Sequence, residues 1–209
     1  MRYVRRYCTA WSGALILLIV GFSNVPPHAV VEGGEPAKAY FAGGCFWCME
    51  EAFEKVDGVI AVVSGYMGGT VQNPSYEDVS SGRTGHAESV EVLYDPSKVT
   101  YNQLLEAFWR NVDPVTPNAQ FCDHGTQYRA AIFYQNDQEK RFAEESKQAI
   151  EQSRRFNQPI VTQIVMASRF YAAEEYHQDF YKKNPIRYKF YKYNCGRAQR
   201  LDELWGMSK

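Results

Sequence analysis

The chain has almost no net charge: 23 lysines and arginines against 24 aspartates and glutamates leave a formal −1. Nucleic acid and anionic membrane surfaces are held by a basic surplus, so composition argues against both as partners. A long hydrophobic run is missing as well. The most apolar stretch, 14–22, is about half the length of a membrane-spanning helix. It follows Arg2, Arg5 and Arg6, so residues 1–24 are expected to be a secretory signal peptide or an N-terminal anchor, and the protein to be exported. Internal repeats and low-complexity tracts are lacking too. Cysteine is sparse, with five in 209 residues. Cys8 leaves with the leader, and Cys45, Cys48, Cys122 and Cys195 remain. A body of about 170 residues buries enough surface to fold without disulfide staples, which leaves these thiols available for redox chemistry. There is one C-x-x-C and no second, which argues against a zinc site, so no metal is expected.

Aromatic residues are plentiful: 15 tyrosines and 12 phenylalanines suit deep apolar pockets with polar rims. Residues 25–37 read as a linker and 38–209 as one catalytic domain. Within it the pattern predicts strands at 38–42, 59–66, 86–94, 127–134 and 160–167. Helices are expected at 45–55, from Thr100 to about 112, from Asn136 to about 155, and at 172–183. Thr100 with Gln103 forms a capping box, and Val99 with Leu104 a hydrophobic staple. Residues 67–85 and 114–126 are long loops, the first with a short helix near Tyr76. The tail, 185–209, shows no periodicity and is expected to be irregular. Strands alternating with helices in this order imply an α+β fold, a mixed sheet with helices on one face.

The chemistry starts at Gly43-Gly44-Cys45-Phe46-Trp47-Cys48, where a strand ends and a helix begins. A thiol at a helix N-terminus faces unpaired N–H groups and the positive end of the backbone dipole, which favour the thiolate. The two glycines are expected to let the backbone approach whatever Cys45 attacks, and Phe46 and Trp47 to wall a pocket. Cys45 and Cys48 could equally form a thioredoxin-like dithiol. Glu88 shares a strand face with Val90, Val92 and Tyr94. A carboxylate on that apolar face is desolvated and stays protonated near neutral pH, as a general acid must. Asp123 to Arg129 gathers polar groups at a loop end, whereas His177 is expected on a solvated helix face.

Five stretches in chain order, over roughly 39–206, resemble the methionine sulfoxide reductase A family. They are Gly43-Gly44-Cys45-Phe46-Trp47 with Glu50, Gly65-Tyr66 with Gly68-Gly69, Asn73-Pro74-Ser75-Tyr76, Gly85-His86-Ala87-Glu88, and Asp123 with Gly125-Thr126-Gln127-Tyr128-Arg129. The resemblance implies a two-layer, ferredoxin-like α-β plait. It implies that Cys45 attacks the sulfoxide sulfur, Glu88 protonates the departing oxygen, and Tyr76 and Tyr128 hydrogen-bond to that oxygen. Phe46 and Trp47 would hold the substrate methyl group and Asp123 would order the site. The implied substrate is the S epimer of methionine sulfoxide, free or in proteins. The reductant would be thioredoxin or a similar dithiol, with no cofactor, and the enzyme is expected to be a monomer. The sequence departs from the commonest family pattern at Cys48, where many members carry glycine, at Met67, where alanine is frequent, and in offering a single tail cysteine, Cys195. Cys195, flanked by glycine, is expected to resolve the sulfenic acid left on Cys45, with Cys48 and Cys122 as the alternatives.

Overall fold

A computed structural model describes residues 35–206. The expected leader at 1–24 and most of the expected linker at 25–37 lie outside these residues.

Strand β1 (Ala37–Gly43) alternates Ala39 and Phe41 onto one face and Tyr40 and Ala42 onto the other. It pairs antiparallel with both β3 (Ala87–Tyr94) and β6 (Ala130–Tyr134). Strand β2 (Val59–Met67) pairs antiparallel with β3, and β7 (Gln163–Met166) runs parallel to β6. The short β8 (Tyr171–Ala172) closes the far edge, giving a six-stranded mixed sheet in the order β7-β6-β1-β3-β2-β8. This is the mixed α+β architecture expected.

The main core lies on one face, where α1 (Phe46–Glu54) and α3 (Tyr101–Arg110) bury their apolar sides. Phe41 stacks between Phe53 of α1 and Phe108 of α3, at centroid distances of 4.8 and 5.4 Å. A fully buried side chain of this size contributes about 1.5–3 kcal/mol. The capping box predicted at Thr100 and Gln103 is present. The longer α4 (Asp137–Gln152), capped by the Asn136 side chain, pins to α3 through a Trp109 Nε1 to Ser146 Oγ bond. The opposite sheet face carries a smaller cluster, Ala42, Met67, Ala87, Ala131 and Phe133, roofed by Ala167 and Phe170.

Two expectations are overturned. The helix expected at 172–183 is mostly absent: only α5 (Phe180–Lys183) forms. The preceding residues serve the edge of β2 instead. Ala173 N donates to Ser64 O, and the Gln178 side chain bridges both the N–H and the carbonyl of Ser64. The tail expected to be irregular folds into α6 (Pro185–Asn194) and α7 (Arg197–Trp205). Pro185 starts α6, and Gly196 and Gly206, at φ of 66° and 59°, bracket α7 in the left-handed region. Helix α7 drives Leu201, Leu204 and Trp205 into the main core, where Trp205 Nε1 donates to Val112 O at 3.0 Å.

Candidate active site

Cys45 is the residue before the first turn of α1, buried and without a side-chain cap bond. The turn that carries it needs both glycines that precede it. A Cβ on Gly43 would lie 2.5 Å from Met49 Sδ, and one on Gly44 would lie 2.5 Å from Gln120 Cβ. Gly44 also has a φ of 79°. The glycines let the thiol-bearing turn pack closely against its own protein. Gln120 belongs to a small ribbon, β4 (Ala119–Gln120) with β5 (Asp123–His124), and its side chain grips both the amide and the carbonyl of Asp113.

Glu88 sits on β3 with only 3% of its surface exposed. The Phe46 amide, an unpaired N–H at the start of α1, donates to Glu88 Oε2 at 3.0 Å. Burial pushes the carboxyl up to about 8, the Phe46 bond pulls against this, and the nearby Asp123 charge adds to the rise. At neutral pH Glu88 is therefore protonated.

Two loops bring the tyrosines. The first, between β2 and β3, is held by His86: its Nδ1 accepts from Gly69 N and its Nε2 bonds Val71 O at 2.8 Å. Helix α2 (Tyr76–Ser80) in this loop opens with a Ser75–Asp78 capping box. Glu174 anchors it further, accepting from Tyr76 N and from the Tyr66 hydroxyl, each at 2.8 Å. Tyr128 lies in a 3-10 turn, Thr126–Tyr128, rather than in the strand expected there, and Arg129 ties that turn to Gly85 O. Burial and the Glu88 charge raise both phenols, Tyr76 to about 12, so both remain O–H donors.

Cys45, Phe46, Trp47, Tyr76, Glu88, Asp123, Tyr128 and Tyr191 line one recess of about 70 Å³. That is about twice the volume share of a water molecule, room for a small group rather than a whole residue. Seven of these eight residues were singled out from the sequence. The eighth, Tyr191, donates to Asp123 Oδ2 at 2.5 Å. Its signal was the i, i+3 spacing of Tyr188 and Tyr191 on the helix that Pro185 begins. His177, expected on a solvated face, is 2% exposed. Its Nδ1 accepts from Trp47 Nε1 at 3.1 Å, and it packs against Phe46 and Tyr76. Trp47 is stacked on its other side by Phe180, 3.7 Å between centroids. Trp47 is thus fixed by two residues of the segment misread as helix.

The four cysteines among the described residues are not equivalent. Cys122 and Cys195 are joined in a disulfide that ties the end of α6 to the β4–β5 turn, so Cys195 is neither free nor on an irregular segment. Cys45 and Cys48 are free, buried and in one cluster with Phe180 and Tyr188. Burial pushes the Cys45 thiol up. Cys48 is held down to about 6, chiefly by accepting the Cys45 S–H, with the Arg197 and Lys192 charges adding.

A buried thiol facing a protonated carboxylic acid across an aromatic recess defines a thiol-based reductase. The sequence model of peptide methionine sulfoxide reductase matches residues 37–209. A curated relative of that name, MsrA of Bacillus subtilis, is 52% identical over 168 residues, 80% of this chain and 95% of the relative. The Listeria monocytogenes protein is 49% identical, with 80% and 95% covered. Among solved structures, Mxr1 of Saccharomyces cerevisiae in its reduced form superposes with a TM-score of 0.68 at 33% identity, covering 72% of this chain and 87% of that one. Methionine sulfoxide reductase A of Corynebacterium diphtheriae gives 0.65, also at 33% identity, with 77% and 82% covered. The chain belongs to the peptide methionine sulfoxide reductase family.

Proposed function

We propose that the protein reduces the S epimer of methionine sulfoxide, free and in proteins, to methionine, with Cys45 as nucleophile and Glu88 as general acid. One observation carries the reading: Cys45 and a protonated Glu88 face a single recess with room for a methylsulfinyl group. Cys45 sulfur attacks the sulfoxide sulfur while its proton passes to the Cys48 thiolate. Glu88 delivers its proton to the sulfoxide oxygen, with the Tyr76 and Tyr128 hydroxyls donating hydrogen bonds to it. The protonated oxygen then shifts to Cys45 sulfur: a Cys45 S–O bond forms as the substrate S–O bond and the new Cys45–substrate S–S bond break, so methionine leaves and Cys45 carries the oxygen as a sulfenic acid; the substrate sulfur has gained two electrons and Cys45 has lost them. Phe46 and Trp47 wall the methyl group, and Asp123, tied to Tyr191, orders the rim.

A second thiol then forms a disulfide with Cys45, and a thioredoxin-like dithiol reduces it; no prosthetic group enters the cycle. The basic residues ahead of the apolar run at 14–22 support export of the domain. Turnover of methionine sulfoxide with dithiothreitol, monitored as methionine released, tests the proposal. Wild type should turn over and the Cys45→Ser variant should not.

A further inference from the structure

Glu50 closes the stretch that opens at Gly43-Gly44-Cys45, yet it takes no part in the sulfoxide chemistry. It is 0% exposed on α1 and does not line the recess at Cys45. A carboxyl buried away from the site must find its partners within the protein. Its Oε1 accepts from the Asp179 amide at 3.0 Å and its Oε2 from the Ser64 hydroxyl at 3.3 Å. Asp179 has a φ of 53°, in the left-handed region, which a residue with a Cβ keeps only where its surroundings hold it there. Its own side chain makes no cap bond to α5 and pairs with Lys182 instead. The next residue, Phe180, is the ring that stacks on Trp47, 7° from parallel. Glu50 and Trp47 are three residues apart on α1, and residues at that spacing share a helix face. The helix thus grips the 177–180 segment twice, Glu50 by its backbone and Trp47 by its rings.

We propose that Glu50 is a positioning residue: by holding the Asp179 amide it fixes the left-handed turn that lays Phe180 on Trp47, and so sets the wall against which the sulfoxide's methyl group binds. The inference rests on the sulfoxide reductase reading. Glu50 touches no substrate and acts through Asp179, Phe180 and Trp47 in turn. Burial pushes its carboxyl up to about 7, with the Asp179 bond pulling against this. Protonated or ionised, a carboxyl keeps an oxygen that can accept from an amide. The role therefore needs an acceptor of this reach and not a charge. Glutamine supplies the same acceptor, whereas leucine fills the space and supplies none. Without an acceptor the Asp179 N–H loses its partner, the left-handed turn relaxes, and Phe180 no longer holds Trp47 in place. The loss falls on binding, because Cys45 and Glu88 keep their own positions.

Steady-state kinetics with dithiothreitol and the indole N–H resonances of the protein test this together. Trp47, Trp109 and Trp205 donate their indole N–H groups to His177, Ser146 and Val112, so the first resonance reports the pocket wall and the other two the core. Glu50→Leu should raise KM for methionine sulfoxide about fivefold and leave kcat within about twofold. It should shift the Trp47 resonance and leave those of Trp109 and Trp205 in place. Glu50→Gln should keep both KM and the Trp47 resonance of wild type. Phe180→Leu, which leaves Glu50 and its two bonds untouched, should reproduce the rise in KM and the shift. Combined with Glu50→Leu it should be no worse than either change alone, since both act on one contact. An unmoved Trp47 resonance in Glu50→Leu, or a fall in kcat with KM unchanged, overturns the proposal. So does a Glu50→Gln variant as impaired as Glu50→Leu. Where Glu50→Leu moves all three resonances and so disturbs the core, Glu50→Asp decides, because its carboxyl stops one methylene short of the Asp179 amide. That variant should raise KM and shift Trp47 alone, and wild-type values for it reject the role. If wild type releases no methionine at all, the sulfoxide reductase reading fails, while the Trp47 resonance still shows whether Glu50 holds the ring.

Discussion

The Phe46 amide donates to Glu88 Oε2 at 3.0 Å, and this bond joins the helix turn carrying Cys45 to the strand carrying the acid. It holds nucleophile and proton donor at the one recess that both line. The acid works only when protonated, and burial holds it up to about 8. Turnover should therefore fall as pH rises through about 8. Glu88→Gln should lower kcat by roughly 100-fold and abolish that alkaline fall. A pH–rate profile in which the variant keeps the wild-type limb would contradict the assignment.

Asp123 acts on the same limb from a distance. Its charge raises Glu88, so Asp123→Asn should let the Glu88 carboxyl ionise earlier and move the alkaline limb below about 8. The direction decides the matter: a limb that stays, or moves upward, would show that Asp123 does not act on Glu88 through its charge.

Trp47 is held by an acceptor, not by packing alone. His177→Phe keeps an aromatic ring but removes the Nδ1 that accepts from Trp47 Nε1. The loss of one such hydrogen bond is about 1 kcal/mol, so KM for methionine sulfoxide should rise several-fold, with kcat less affected. Steady-state kinetics at a pH where Glu88 is protonated would show it; a fall in kcat with unchanged KM would mean that Trp47 does not position substrate.

Gly44→Ala places a Cβ 2.5 Å from Gln120 and forces a side chain onto a φ of 79°. Strain and overpacking together should cost about 2–4 kcal/mol, read as a lower midpoint in urea unfolding. A variant as stable as wild type would mean that the turn is not clamped by the β4–β5 ribbon.

The site was legible in the sequence wherever a local pattern carried it. Glu88 showed itself through the alternation of Val90, Val92 and Tyr94, and Cys45 through glycines followed by a helix. What was missed depends on distant partners. Gln178 bonds Ser64, 114 residues earlier, and that pairing overrides the helical periodicity of the segment containing His177. Tyr191 lay hidden because the aromatic residues of α6 face both ways, Tyr188 buried while Phe190 and Tyr193 are exposed, so aromatic character does not mark one face. Four cysteines in a chain allow several pairings, and only the fold brings Cys122 and Cys195 together.

If Cys48 resolves the sulfenic acid, Cys195 is a clamp. Cys195→Ser should then keep turning over with thioredoxin and lose thermal stability, because the closed loop of 73 residues would open. A single turnover followed by a stall would return the resolving role to Cys195.

The central claim is that Cys45 reduces a sulfoxide. The most direct measurement is methionine released from each epimer of methionine sulfoxide, with dithiothreitol as reductant, by wild type and Cys45→Ser. The account predicts many turnovers of the S epimer by wild type, little of the R epimer, and none of either by the variant. Equal turnover by Cys45→Ser, or no methionine from wild type, would contradict it.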